Sequence, residues 1–163
     1  RRMPPRQHEH RHGRRARSQG VIQPGSQVGR LDGQTGTNIN ACVDADANNA
    51  CDALSQPDGT AALDFTGALV PLDLATQQPA AYKPAAVVNL FYWNNIMHDV
   101  TYQYGFDAPG GNFQVNNYGN GGTGNDAVNA DAQDGAELAT PTLNNANFAT
   151  PPEGSAPRMQ MIR

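Results

Sequence analysis

The chain has 163 residues, with 11 Lys and Arg against 15 Asp and Glu and a formal net charge of −4, a length for which one domain is the natural prior. The charges are segregated: residues 1–30 hold eight Arg against Glu9, whereas residues 31–163 hold Lys83, Arg158 and Arg163 against 14 acids. An acidic, Lys-poor body argues against a nucleic-acid binder, and no apolar run approaches the roughly 18 residues that a membrane span needs.

Residues 1–30 hold almost no apolar side chains and repel themselves electrostatically, so they are expected to be a disordered Arg/His-rich segment. Within them His8-Glu9-His10-Arg11-His12 formally matches H-E-x-x-H. That motif works when two His lie one helical turn apart on a rigid helix, with the Glu set against a zinc-bound water. Here Pro4-Pro5, Gly13 and polar flanks leave no buried helix around it. The motif therefore reads as a decoy that binds Zn²⁺ or Ni²⁺ loosely. Electrostatic binding of polyanions by this arm is a further reading. No signal-peptide pattern is visible, and a chain that opens on Arg1 is expected to lack its beginning.

Residues 31–58 read as loop. Cys42 and Cys51 flank a short polar stretch; a disulfide in an oxidising compartment is preferred, with two free thiols as the alternative. Asp44, Asp46 and Asn48 alternate like the start of a calcium loop. Asn49 stands where such a loop needs Gly and Ser55 where it needs Glu, so calcium is a candidate but a solvated acidic loop is the better expectation. Residues 59–83 offer Leu63, Phe65, Leu69, Leu72 and Leu74 in pieces broken by Gly67 and Pro71, expected as short extended segments.

The organising element spans about 84–104. Pro84 suits the first turn of a helix and Gly105 the position just past its end. Between them run 20 residues without Gly or Pro, about 30 Å of helix. Val87, Leu90, Phe91, Asn94, His98, Thr101 and Tyr102 recur along one side, and Val88, Tyr92, Trp93, Ile96, Met97 and Val100 cover much of the rest. Apolar over more than half its circumference, the helix is expected to be buried as the central support of an α+β domain. Phe113–Tyr118 and Asp126–Ala132 alternate like strands and are expected to pair, with the glycine-rich Gly119–Gly124 as their hairpin connection. That loop lacks the lysine of a phosphate cradle. His98 and Asp99 point about 100° apart on a helix and are expected to be structural, without serving one site together.

Three stretches together carry a resemblance: NLFYWNNIMHDVTYQYGFD, GNFQVNNYGNGGTGNDAVNADAQDG and NNANFATPPEGSAPRMQM. In this order they resemble the fungalysin family of secreted zinc metallopeptidases, relatives of thermolysin, over roughly Asn38 to Met161. The resemblance implies an N-terminal lobe, residues 31–163, of a catalytic domain whose zinc-binding helix and glutamate ligand would follow Met161. It implies zinc as the metal of the complete enzyme, polarising a peptide carbonyl and activating water. It also implies a secreted, extracellular protein, protein or peptide substrates, and the remainder of the catalytic domain as partner. By the same resemblance the N-N-A segment is an edge strand along the cleft. Asn145 and Ala146 would hold substrate backbone, and Asn147 and Phe148 would shape the rim, because an extended peptide can add to a sheet edge by main-chain pairing. Thermolysin continues with a second aromatic where this chain has Ala149-Thr150-Pro151-Pro152, which shifts any register by a residue or two. An ordinary edge strand is the structural alternative. A non-catalytic extracellular module built on the same lobe is the alternative function.

Overall fold

Ile39, Ala41 and Val43 alternate with Asn40 and Cys42, and this period-2 pattern forms strand β1, Ile39–Val43, with one apolar and one polar face. The computed structural model describes residues 38–59, 64–69, 73, 75–141 and 143–162. After β1 come helix α1 (Lys83–Tyr102) and strands β2 (Val128–Asp134), β3 (Asn145–Ala149) and β4 (Arg158–Ile162). The sheet order is β1-β2-β4-β3. β2 runs parallel to both β1 and β4, and β3 runs antiparallel to β4. This is the expected α+β arrangement, one long helix backing a mixed sheet.

Helix α1 has Pro84 in its first turn, and its far end closes where Phe106 N–H donates to Thr101 O at 3.1 Å, with Gly105 at φ 101°. That left-handed conformation suits glycine. The core lies between helix and sheet: Val87 and Phe91 pack against Ile39, Ala41, Val43, Val128, Ala130 and Ala132. Alanines on β1 and β2 let the helix approach closely, which is why so much of the central strand is Ala rather than a larger β-former. At the end of β2, Gln133 takes φ 53° and breaks the register between Ala132 and Asp134. Its Nε2 donates to Pro79 O at 2.9 Å, tying this bulge to the 3-10 turn Pro79–Tyr82 that leads into α1.

Several expectations are corrected. The helix is buried along one stripe only, at Ala85, Val87, Val88 and Phe91, while Tyr92, Trp93, Met97 and Val100 are exposed. Phe113–Tyr118 is not a strand. Its alternation is mostly of amides, which gain little from a pleated half-buried surface, and Tyr118 turns left-handed at φ 50°. The strand near Asp126 lies two residues later, at Val128–Asp134, and pairs with β1 and β4 rather than in a hairpin. Gly119–Gly124 is a loop folded against the turn at Ala108. A Cβ on Gly122 would sit 1.8 Å from Ala108 O, so close backbone approach, not a hairpin, explains the glycine. Residues 31–58 contain β1, an element hidden by its Asn and Ala content. The described part of 59–83 holds 3-10 turns at Thr66–Ala68 and Pro79–Tyr82, not extended pieces. Leu63, Leu72 and Leu74 fall outside the described residues, as do residues 1–30 and the His8–His12 motif.

The structure joins Cys42 on β1 to Cys51, with Cα atoms 5.4 Å apart, holding the loop that covers the polar face of β1. Replacing both by Ser is expected to cost about 2–3 kcal/mol, a typical figure for so short a loop. Denaturant unfolding measures it, and an unchanged midpoint would show that the loop is held by its hydrogen bonds alone.

Candidate functional site

Strand β3 is exposed at all five residues, and among the described strands it pairs with β4 alone. Its other edge therefore presents main-chain groups to solvent, a template for an added strand. Register with β4 sets which side chains share a face. Phe148 lies opposite Met159 and Ala146 opposite Met161, whereas Asn147 lies opposite Gln160. Met159 and Met161 line an apolar groove of about 530 Å³ between the sheet and α1, together with Leu90, Trp93, Phe113 and Phe148. Phe148 stacks at 5.9 Å and 34° on Phe113, which meets Phe106 edge-on at 5.1 Å and 80°.

The four residues expected at the cleft thus share one strand but not one face. Ala146 and Phe148 belong to the groove side by register, and Asn145 and Asn147 to the other, because successive side chains of a strand alternate. Asn145 Oδ1 accepts from Ala146 N–H at 2.9 Å, so the two are coupled locally. The groove is legible in the sequence only in part: Phe148 belongs to the expected cleft strand, whereas Phe113 and Met159 reach it from other segments.

His98 also borders the groove. Its Nδ1 lies 3.1 Å from Asp99 Oδ1, and its Nε2 lies 3.1 Å from Gln114 Oε1 and 3.2 Å from Asn112 Nδ2. The two side chains do touch despite the roughly 100° offset expected between neighbouring helical residues, because side-chain reach spans it. Gln114 Nε2 donates to Asn116 O at 3.1 Å, which turns Gln114 Oε1 toward the imidazole. The result fastens the end of α1 to the loop that carries Phe113.

On the opposite side of the sheet lies an acidic cluster that sequence reasoning touched only through Asp44. Asp131 is held by Arg158, with Nη1 2.5 Å from Oδ2, yet burial raises its carboxyl above the ordinary value. Asp134 is raised by burial and then by the charge of Asp44. A usable signal is present in the sequence: two Asp in AVNADAQD, on an Ala-rich strand with no Lys or Arg, invite the question of what neutralises them.

A zinc site does not fit the described residues. Their one histidine, His98, has both ring nitrogens engaged, and Cys42 and Cys51 are bonded to each other. No His, Cys and carboxylate group converges among them; the clusters that do converge are all aspartates.

An open-edged mixed sheet backed by one long helix, with an apolar groove under the edge strand, is consistent with part of a peptidase lobe. Residues 7–163 match the model of the Fungalysin metallopeptidase (M36) family, and the chain belongs to that family. It is similar to the protein named Extracellular metalloproteinase 4 of Arthroderma otae, 51% identical over 83 residues, covering 51% of this chain and 12% of that protein. It is also similar to Extracellular metalloproteinase 9 of Uncinocarpus reesii, 48% identical over 91 residues, covering 56% of this chain and 14% of that protein. A third, Extracellular metalloproteinase 4 of Trichophyton soudanense, is 45% identical over 91 residues, covering 56% of this chain and 22% of that protein. The matched stretch thus spans less than a quarter of these relatives' own length. Among the described residues, no helix is long and apolar enough to cross a membrane.

Proposed function

We propose that residues 31–163 form the N-terminal lobe of a secreted zinc metalloendopeptidase that hydrolyses peptide bonds in extracellular proteins, with residues 1–30 as a separate segment. The role of this lobe is to receive the substrate along the open edge of β3. The observation that carries the reading is that edge: five exposed residues, paired on one side only among the described strands, beside an apolar groove lined by Phe113, Phe148 and Met159. Backbone pairing along β3 would supply register and affinity, and the groove would accept apolar side chains. Asn145 and Ala146 hold the substrate backbone, while Asn147 and Phe148 shape the rim. The described residues form no zinc centre, so the metal chemistry belongs to the remainder of the catalytic domain. That remainder also covers the exposed apolar side of α1 at Tyr92, Trp93 and Met97, surface of a kind that soluble proteins seldom leave bare in a contiguous patch.

The test uses the complete enzyme. Asn145→Ala should lower kcat/KM roughly ten- to a hundredfold if the lost hydrogen bond is worth about 1.5–3 kcal/mol, with zinc content and Tm little changed, since the residue is exposed. His98→Ala should instead lower Tm by loosening the end of α1, with turnover per folded molecule largely kept. An Asn145→Ala enzyme with unchanged kcat/KM on peptides spanning the edge would remove β3 from the substrate path.

A further inference from the structure

Away from the groove, carboxylates gather around Asp44. Asp44, Asp131 and Asp134 each offer an oxygen within 4.8 Å of the others, and Asp44 does the same with Asp46 and Asp52. The first three residues are 0%, 1% and 5% exposed. Burying ionised carboxylates beside one another is strongly unfavourable unless opposite charge or donors compensate. Some compensation is present. Arg158 reaches Asp131, Asn48 and Asn49 N–H donate to Asp44 at 3.0 and 2.8 Å, Ala45 N–H donates to Asp52 Oδ2 at 3.2 Å, and Gln160 Nε2 donates to Asp134 Oδ2 at 3.2 Å. One oxygen is left over: Asp134 Oδ1 is buried with no donor. Buried polar atoms are nearly always partnered, so this orphan, in the carboxylate that closes the cluster, points to a missing positive partner.

We propose that Asp44, Asp131 and Asp134 bind one divalent cation, suited to calcium, which links the end of β1 to the end of β2. The donor set is all oxygen, which hard cations prefer and which offers zinc none of its usual nitrogen or sulfur ligands. Mg²⁺ demands near-ideal octahedral geometry and usually keeps several waters, whereas Ca²⁺ accepts irregular sets of protein carboxylates, so a buried triad of this kind suits the larger ion. The bulge at Gln133 is what brings Asp134 alongside: the register breaks between Ala132 and Asp134, so Asp131 and Asp134 both turn toward Asp44. The ion is structural, on the face of the sheet that carries Arg158, not the groove. It stands apart from the peptidase reading.

Equilibrium dialysis of the 163-residue chain against Ca²⁺, with Mg²⁺ as competitor, tests this. About one Ca²⁺ per chain is expected at about 1 mM, with Mg²⁺ displacing it poorly. Saturating Ca²⁺, about a hundredfold above the dissociation constant, should raise Tm by roughly 5–11 °C over the chain in EDTA. Asp134→Asn should weaken binding by about tenfold or more, yet melt no lower than the parent in EDTA, because the change removes a buried repulsion. Asp46→Asn, on the exposed side, should bind within about threefold of the parent. No retained Ca²⁺ in the parent chain overturns the site outright, whatever Asp134→Asn does to folding. Equal binding by Asp134→Asn, or loss in Asp46→Asn alone, overturns the assignment to the buried triad.

Discussion

Phe91→Ala is expected to destabilise the chain by about 3–5 kcal/mol, the usual cost of removing a fully packed aromatic ring. Phe91 is 3% exposed and sits with Val87 over Ile39, Ala41, Val43 and Ala130. The helix is buried at only four positions, and Phe91 is the one aromatic ring among them. The control lies two residues on, about 200° around the helix. Trp93→Ala, at a position 54% exposed, should change stability by less than about 1 kcal/mol in this chain. Urea unfolding followed by circular dichroism compares the two. Equal losses would mean that α1 packs on the sheet through its other face and that the core described above is wrong.

That contrast also shows how far the sequence could be read. The length of α1, its start at Pro84 and its stop before Gly105 are local properties, and they were recoverable from Pro, Gly and a long run of helix formers. Which face of α1 is buried was not. Tyr92, Trp93 and Met97 are apolar too, like Val87, Val88 and Phe91, and only the sheet decides between them. β1 and β2 were hard to recognise for the same reason. Both are parallel strands packed under a helix, where Ala is selected for close approach, so β-propensity misses Asn40-Ala41 and places β2 two residues early. Phe113–Tyr118 failed in the opposite sense: its period-2 pattern was real, but its polar residues serve as partners for His98 and Asp126, as when Gln114 N–H donates to Asp126 Oδ1 at 3.1 Å.

The edge strand and the acidic cluster differ likewise. Asn145–Phe148 came into view by family resemblance, and the structure adds register: Ala146 and Phe148 on the groove side, Asn145 and Asn147 behind. Asp131 and Asp134 meet Asp44 across more than 80 residues of sequence, and no local pattern announces such a meeting. What the sequence did carry was a charge imbalance in residues 31–163, and the structure shows where part of it is concentrated.

Arg158 is where that imbalance is most exposed to mutation. It is the described cation that meets the buried acids: Nη1 lies 2.5 Å from Asp131 Oδ2 and Nη2 donates to Asn49 O at 2.9 Å. Asp131 is 1% exposed. Removing one member of a buried pair leaves the other charge uncompensated, which typically costs about 3–5 kcal/mol, far more than the net worth of the pair. Arg158→Met, which keeps much of the stem volume, should therefore lower stability by about that amount when measured in EDTA. Asp131→Asn in the same chain should recover most of it, since the orphaned charge is gone and only the bond to Asn49 is still missing. The double-variant cycle isolates the coupling because the two residues touch. An additive cycle, with Asp131→Asn giving no rescue, would mean that Arg158 acts through the Asn49 turn and the disulfide loop rather than through the acids. With Ca²⁺ added, the Arg158→Met defect should shrink, because a cation held by Asp44, Asp131 and Asp134 supplies part of the charge the arginine provided.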